Sequence, residues 1–378
     1  MRNINNYSKV LILTKDKNSR GGVTNYFNLF FSKHNNSELT IDRFVIGSRS
    51  NNYYTRERRY IGYIIEYMSD ISRYIKYLLQ RKDIKIVQVN PSLIPVPLLR
   101  DSIIILIAKL FKKKTIVFFR GWKNEVANKI HRNIILKRIF KIIFGSSNIV
   151  IVLANEFRND LEDIGVEKGK IIVTRTMYDG SCIMQNGIKH NQVPKFLFLN
   201  RISREKGAWL VIEAATKLKK QGYKFKIYIH GHGAQRDTVT ELKKLIIDSG
   251  IEDVVFVGDF LSGKEKYIAY SKSDIFLLPS YHEGCPNTIL ESMASGCFII
   301  CTGEGAMKEV VQDGINGKIV KTGDANDLAE KMAWAIDNIN LVRQLGEKNK
   351  EYADNNFESK HIIRQITSIY NDLLTNDK

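Results

Sequence analysis

Two carboxylates stand eight positions apart in the segment Tyr281-His282-Glu283-Gly284-Cys285-Pro286-Asn287-Thr288-Ile289-Leu290-Glu291. The segment lies between two strand-like apolar runs, Ile275–Leu278 and Phe298–Cys301. Glu283 falls in a Gly/Pro loop, and Glu291 falls one turn into the helix expected next. A loop that ends on a helix N-terminus offers free N–H groups and the positive end of a dipole, both of which attract phosphate. Backbone around Gly284 and Pro286 could meet a polyol whose hydroxyls donate to Glu283, while Glu291 could accept from a ribose. One short segment would then hold the sugar, diphosphate and nucleoside of a sugar nucleotide. The same residues also fit helix punctuation: Thr288-x-x-Glu291 matches a capping box, Asn287 is a good N-cap, and Glu283 would be an exposed loop acid.

Other groups with chemical potential sit on other loops. Arg201 and Lys206 lie between a strand and a helix expected at Ala208–Lys219. Two fixed cations there would neutralise a diphosphate and stabilise it as it leaves; a solvated basic loop is the alternative. Arg120, in Phe118-Phe119-Arg120-Gly121-Trp122, follows a strand. It could bind a phosphate of donor or acceptor, or close a salt bridge with Glu125. His230 and His232 flank Gly231 and read as a structural turn. No Asp-x-Asp pair occupies a strand end, and Arg201, Lys206 and the helix dipole can do a metal's electrostatic work. Metal independence is therefore expected, with no cofactor beyond the co-substrate.

The elements that must position these groups are legible as alternating patterns. Val10–Thr14, Ile84–Val89, Thr115–Phe119 and Asn148–Leu153 read as buried strands, separated by helices at Val23–Lys33, Ile103–Lys112 and Val126–Ile143. Farther on, Phe196–Leu199, Lys226–Ile229, Val254–Val257, Ile275–Leu278 and Phe298–Cys301 are strands, with helices at Ala208–Lys219, Asp237–Ser249 and Thr288–Ser295 between them. Alternation of this kind implies parallel sheets with helices on both faces, an α/β class. Gly180–Pro194 is the best linker, and Asp327–Ile336 begins a helical tail.

A chain of 378 residues suggests two domains, each with its own core. No apolar run approaches the roughly 20 residues of a membrane span, and from the polar start Met1–Ser8 no secretory signal is expected. Four cysteines (Cys182, Cys285, Cys297, Cys301) show neither metal spacing nor a disulfide framework, which favours a reducing cytosol. Charge is uneven: up to His190 there are 33 Lys and Arg against 15 Asp and Glu, and from Asn191 onward 25 of each, so the net +18 belongs to the first half. Basic segments interleaved with apolar residues, Lys109–Lys114, Lys129–Lys141 and Tyr53–Lys82, can be solvated helix faces one by one. Together they suggest adsorption to an anionic membrane surface.

The segment Glu283–Glu291, with Gly303-Glu304-Gly305 downstream, resembles the E-x7-E signature of the retaining glycosyltransferases of family 4. Asn200–Gly207 looks like that family's diphosphate-binding Arg and Lys loop. Ile229-His230-Gly231-His232-Gly233 is similar to its G-x-G turn, and Phe256-Val257-Gly258 to the strand end near its nucleobase pocket. Glu309, Asp313-Gly314 and Gly317 continue the pattern, which covers about residues 195–335 well and the first half weakly. The resemblance implies a GT-B fold: two doubly wound Rossmann-like domains facing a central cleft. Residues 1–185 would bind acceptor, 186–355 would bind the nucleotide sugar, and a helix in 356–378 would return to the first domain.

It also implies transfer of a sugar from a UDP- or GDP-linked donor, with retention, to a glycan or lipid-linked acceptor. Bacterial surface polysaccharide or lipopolysaccharide synthesis, on the cytoplasmic face of the cell membrane, is the setting expected. Glu283, Arg201 and Lys206 would be catalytic. Gly21, Gly22, Gly284, Cys285, Pro286, Asn287, Thr288 and Glu291 would join them around the donor, Gly21 and Gly22 by close backbone approach to its phosphate. Arg120 stands where many members have His, so the role of that His does not carry over. Within enzymes the rival is a GT-B-like sugar-nucleotide epimerase or an inverting transferase, which needs a base in the first domain. A basic nucleic-acid-binding protein is the rival from another class, but the tyrosine clusters form no known module and no nucleic acid is expected.

Overall fold

The computed structural model describes residues 9–19, 21–34, 39–47, 60–184 and 192–375. The chain divides into two compact units, one of Met1–Arg175 with Lys360–Lys378 and one of Thr176–Ser359. In the first unit the elements are β1 (Lys9–Thr14), α1 (Gly22–Lys33), β2 (Thr40–Val45), α2 (Tyr60–Gln80), β3 (Ile84–Val89), α3 (Pro95–Leu110), β4 (Lys114–Phe118), α4 (Asn124–Arg132), α5 (Ile134–Phe140), β5 (Ile149–Val152), α6 (Asn155–Ile164) and β6 (Ile171–Val173). All six strands are parallel, in the order β2-β1-β3-β4-β5-β6. The central strands are buried on both faces, which is why they read as unbroken apolar runs.

The second unit repeats the plan. It contains β7 (Lys195–Leu199), α7 (Ala208–Lys220), β8 (Lys226–His230), α8 (Thr238–Asp248), β9 (Val255–Gly258), α9 (Gly263–Ser271), β10 (Ile275–Leu278), α10 (Asn287–Ala294), β11 (Phe298–Thr302), α11 (Met307–Val310), β12 (Gly317–Val320), α12 (Ala325–Asp337) and α13 (Ile339–Phe357). Its parallel sheet runs β12-β11-β10-β7-β8-β9. Alternate residues of β7 serve opposite cores: Phe196 and Phe198 join one cluster, Leu197 and Leu199 the other. The strand order reverses between β7 and β10, so the loops leaving their carboxyl ends flank the crevice where such sheets bind ligands.

A last helix, α14 (Ser359–Thr375), belongs mostly to the first unit. Its buried Tyr370 hydroxyl donates to Gln88 Oε1 at 2.6 Å, Gln88 Nε2 donates to Asn90 Oδ1 at 2.9 Å, and Asn90 Nδ2 donates to the Leu13 carbonyl at 2.7 Å. This relay ties the helix to the ends of β3 and β1, and every member is satisfied.

Three local readings need correction. The single helix expected over Val126–Ile143 is broken at Asn133, whose backbone is extended. Its side chain accepts from the N–H groups of Ile135 and Leu136, starting a second helix that ends in a π turn, Lys141–Gly145. The helix expected at Ile103–Lys112 instead begins at Pro95, where proline's fixed φ suits the first turn. Strands β2, β6 and β12 were not anticipated: β2 carries Asp42 and Arg43 on a half-buried edge, and β6 and β12 are only 3 and 4 residues long. Of the expected linker, residues 185–191 lie outside the described residues, as do residues 53–59 of the basic aromatic segment.

Candidate active site

The loops after β7 and β10 are clasped together by backbone contacts that leave no room for side chains. Gly207 has φ +81°, and a Cβ there would lie 2.1 Å from the Pro279 carbonyl oxygen. Only glycine satisfies both the backbone angle and the approach. The Tyr281 N–H donates to the Glu205 carbonyl at 2.8 Å, and the Ser280 hydroxyl donates to the same carbonyl at 3.1 Å. Across this clasp Lys206 Nζ donates to Glu283 Oε1 at 2.6 Å and to the His282 carbonyl at 3.1 Å. The two side chains are 16% and 11% exposed, so this ion pair is mostly withdrawn from solvent.

Neighbouring loops brace the pair from both sides. Gly305, at φ +56°, would place a Cβ 2.2 Å from the Glu283 carbonyl oxygen, and the Ala306 N–H donates to the Gly284 carbonyl at 2.7 Å. The loop after β11 therefore fixes the backbone that carries Glu283, while the Glu304 carboxylate accepts from the Thr322 hydroxyl at 2.7 Å. On the other side a Cβ on Gly231 would lie 1.9 Å from the Asn200 carbonyl oxygen. The Ile202 N–H donates to the His232 carbonyl at 2.7 Å, so the turn after β8 holds the loop that carries Arg201.

Arg201 itself is incompletely used. Its Nη2 lies 3.7 Å from Oε2 of the exposed Glu205, a wide contact, and its Nε is buried without a hydrogen-bond partner. A buried donor of this kind is uncommon in a folded protein and keeps its capacity for an acceptor atom. Arg201, Lys206 and Glu283 thus lie on two loops at one strand-order reversal.

Glu291 stands in different company. It is 5% exposed; its Oε1 accepts from Lys266 Nζ at 2.5 Å and its Oε2 accepts from the Tyr270 hydroxyl at 3.2 Å. Burial first, and the Glu291 charge second, push the Tyr270 hydroxyl well above its ordinary range. The capping-box alternative is not formed: Pro286 is the N-cap of α10, no side chain caps that end, and Thr288 Oγ1 is buried without a partner. Asn287 is the first helical residue rather than the cap, and its Oδ1 accepts from the Thr176 hydroxyl. Cys285 is half-buried and takes part in no disulfide. Lys266 and Tyr270, both on α9, escaped the sequence reading because a lone Lys and Tyr at helical spacing carry no motif.

His230 and His232 are both structural in their contacts. The His230 ring packs where a Cβ of Gly258 would be, with Nδ1 2.9 Å from the Asp259 carbonyl, and the His232 ring stacks on Phe260 at 4.0 Å. In the first unit Gly21, at φ +127°, caps α1, and neither Gly21 nor Gly22 would place a Cβ within 4 Å of anything. Backbone angle alone requires glycine at Gly21. The Arg120 guanidinium lies 3.8 Å from the Tyr26 ring centroid and 4.5 Å from that of Phe118, which ties it to α1. Burial, opposed by Arg120, pushes the Tyr26 hydroxyl up to about 12. Among the described residues no group of three or more His, Cys, Asp and Glu could hold a metal ion, and no helix is long and apolar enough to cross a membrane.

Comparison with known proteins adds a family-model match over part of the chain, and a fold. Residues 183–352 match the family model of the glycosyl transferases group 1. WcaL of Salmonella typhimurium, a glycosyltransferase by name and named for colanic acid biosynthesis, is 27% identical over 239 residues, covering 61% of this chain and 58% of that protein. The match thus spans less than two thirds of that relative's length. Among solved structures, a sucrose-phosphate synthase from Thermosynechococcus elongatus superposes with a TM-score of 0.77 at 14% identity, over 98% of this chain and 100% of that one. Anabaena HepE, solved in complex with UDP and glucose, superposes with a TM-score of 0.71 at 14% identity, over 97% of this chain and 100% of that one. Identity this low carries the fold alone, and the fold is GT-B, with two parallel six-stranded sheets.

Proposed function

We propose that this chain, whose residues 183–352 match the glycosyl transferases group 1, is a glycosyltransferase of bacterial surface polysaccharide synthesis that uses a nucleotide-sugar donor. The observation that carries the reading is the clasp at the β7/β10 reversal. It sets a buried unpartnered Arg201 Nε beside a loop whose Lys206 is paired to Glu283 at 2.6 Å. Fixed cations beside a rigid carboxylate suit a ligand that is anionic at one end and rich in hydroxyls at the other. The names of the relatives support the same reading: one is named for colanic acid biosynthesis, and one structural neighbour was solved with UDP and glucose.

In this reading Arg201 and Lys206 bind the diphosphate and stabilise the charge that develops as it leaves. Glu283 accepts from sugar hydroxyls and orients the anomeric carbon. Transfer in this reading is same-faced and retaining, as the resemblance to family 4 implies, with no covalent intermediate invoked. The acceptor oxygen bonds to the anomeric carbon as the bond to the diphosphate breaks, and the acceptor proton passes to the leaving phosphate oxygen. The donor is UDP- or GDP-linked, no metal takes part, and the acceptor is a glycan or a lipid-linked glycan met at an anionic membrane surface. Hydrolysis of a panel of nucleotide sugars without acceptor tests the core of this proposal. Release of one nucleoside diphosphate above background supports it; absence of both turnover and nucleoside diphosphate binding overturns it.

A further inference from the structure

The segment from α5 through the π turn has an outer surface that its own fold does not use. Phe140 and Phe144 point inward and pack on Phe119, with ring centroids 6.0 and 5.8 Å away. Outward, Ile134, Ile135 and Ile142 are each 66% exposed, Ile139 is 47% exposed and Leu136 is 43% exposed. Scattered exposed apolar residues are ordinary, but five within nine consecutive positions form a patch. Among them stand Lys137, Arg138 and Lys141, preceded by Lys129 and Arg132, none ion-paired among the described residues. Lys109 Nζ donates to the Ile143 carbonyl at 3.0 Å and brings the end of α3 alongside. There Leu106 and Leu110 are also exposed, and Lys112 follows.

We infer that this surface is a membrane-seating wedge: the isoleucines enter the acyl boundary of an anionic bilayer while the flanking Lys and Arg hold its headgroups. The inference rests on the membrane-surface reading of the first unit and adds to it the element and the force. Charge alone does not explain aliphatic side chains held in water, whereas an interfacial helix needs both. Two copies packed face to face would oppose like charges. A nucleic acid would be met by aromatic platforms rather than by branched aliphatic chains. An anionic lipid surface satisfies both halves of the patch.

The test uses the whole protein and vesicles of phosphatidylcholine with and without phosphatidylglycerol. Wild type should sediment with the anionic vesicles, more weakly at high salt but not negligibly, because the inserted apolar part is not screened. The triple variant I135S/I139S/I142S should lose at least about tenfold in partitioning and all of the salt-resistant part, since full burial of even one such side chain is worth about that factor. K137Q/R138Q/K141Q should lose chiefly the salt-sensitive part. Tryptophan in Ile139→Trp should be quenched by lipids brominated on the acyl chains. The idea is overturned if wild type ignores anionic vesicles, if the triple Ser variant binds as wild type does, or if Trp at position 139 stays unquenched. It is equally overturned if the Ser substitutions convert a lipid-free oligomer to monomer, which would make the patch a protein interface. Nucleoside diphosphate binding and thermal unfolding, measured on the same variants, should match wild type, so failure here is separable from failure of the donor-site reading.

Discussion

Lys206 Nζ sits 2.6 Å from Glu283 Oε1, and the two residues come from loops 77 positions apart in the chain. The contact exists because β7 and β10 are neighbours in the sheet while β8 and β9 lie to one side. A mostly buried pair of this kind leaves a stranded charge when either partner is removed. Glu283→Ala should therefore lower turnover by about a hundredfold or more and cost about 1–3 kcal/mol of stability while the fold survives. Turnover measured beside chemical unfolding decides it; a folded variant with wild-type turnover removes Glu283 from the site.

Arg201 gives a cleaner binding test, because its Nε has no partner to lose. Arg201→Ala should leave stability within about 0.5 kcal/mol, as surface-like changes do. It should weaken nucleoside diphosphate binding by about tenfold to a hundredfold, the worth of a charge-assisted hydrogen bond. Calorimetric titration with UDP and GDP reads both the loss and the nucleotide preference. Unchanged affinity for whichever nucleotide binds would place the diphosphate elsewhere.

The fold class was readable because parallel strands buried on both faces leave unbroken apolar runs, such as Ile275–Leu278 and Phe298–Thr302. Edge strand β2, with Asp42 and Arg43, leaves no such run. Arg201, Lys206 and Glu283 could be placed on loops after strands. That the two loops touch depends on strand order, which a linear pattern does not contain. Crowding at Gly207, Gly231 and Gly305 was equally hidden, since a glycine that admits a neighbouring carbonyl looks the same in sequence as one that merely turns. Asn133 was the reverse case: a cap residue in plain view, outweighed in the reading by the helical period on both sides of it.

Those glycines can be tested directly. Gly231→Ala would drive a Cβ to 1.9 Å from the Asn200 carbonyl oxygen. The loop carrying Arg201 must then shift, at about 1–3 kcal/mol, and nucleoside diphosphate affinity should fall with it. Gly22→Ala, which would meet nothing within 4 Å, should not lower stability. Equal melting temperatures for the two variants would show that the Asn200–Gly231 contact is not holding the loop.

Metal independence follows if Arg201 and Lys206 carry the charge of the departing diphosphate. Donor hydrolysis should then continue in excess chelator at the rate seen without it, and added Mg²⁺ or Mn²⁺ should change it less than about twofold, under about 0.4 kcal/mol of transition-state stabilisation. Activity abolished by chelator and restored by one divalent ion would move charge stabilisation from the two side chains to a metal.

Glu291 poses the sharpest choice between support and recognition. Its carboxylate already accepts from Lys266 and Tyr270, one donor on each oxygen. An ionised carboxylate has about four acceptor positions, so two remain for the hydroxyls of a ribose. If they are so used, wild type should bind UDP or GDP about tenfold more tightly than the 2′-deoxy analogue, and Glu291→Gln should flatten that ratio. A purely structural Glu291 predicts otherwise. Substitution would then lower stability, because the Lys266 ammonium would be left without its counter-charge beside a buried Tyr270. Ribo and deoxyribo ligands would weaken in step. Titrating both nucleotides against both proteins, with unfolding measured alongside, separates the two roles, and an unchanged ribo-to-deoxyribo ratio in Glu291→Gln would remove this carboxylate from the nucleoside site.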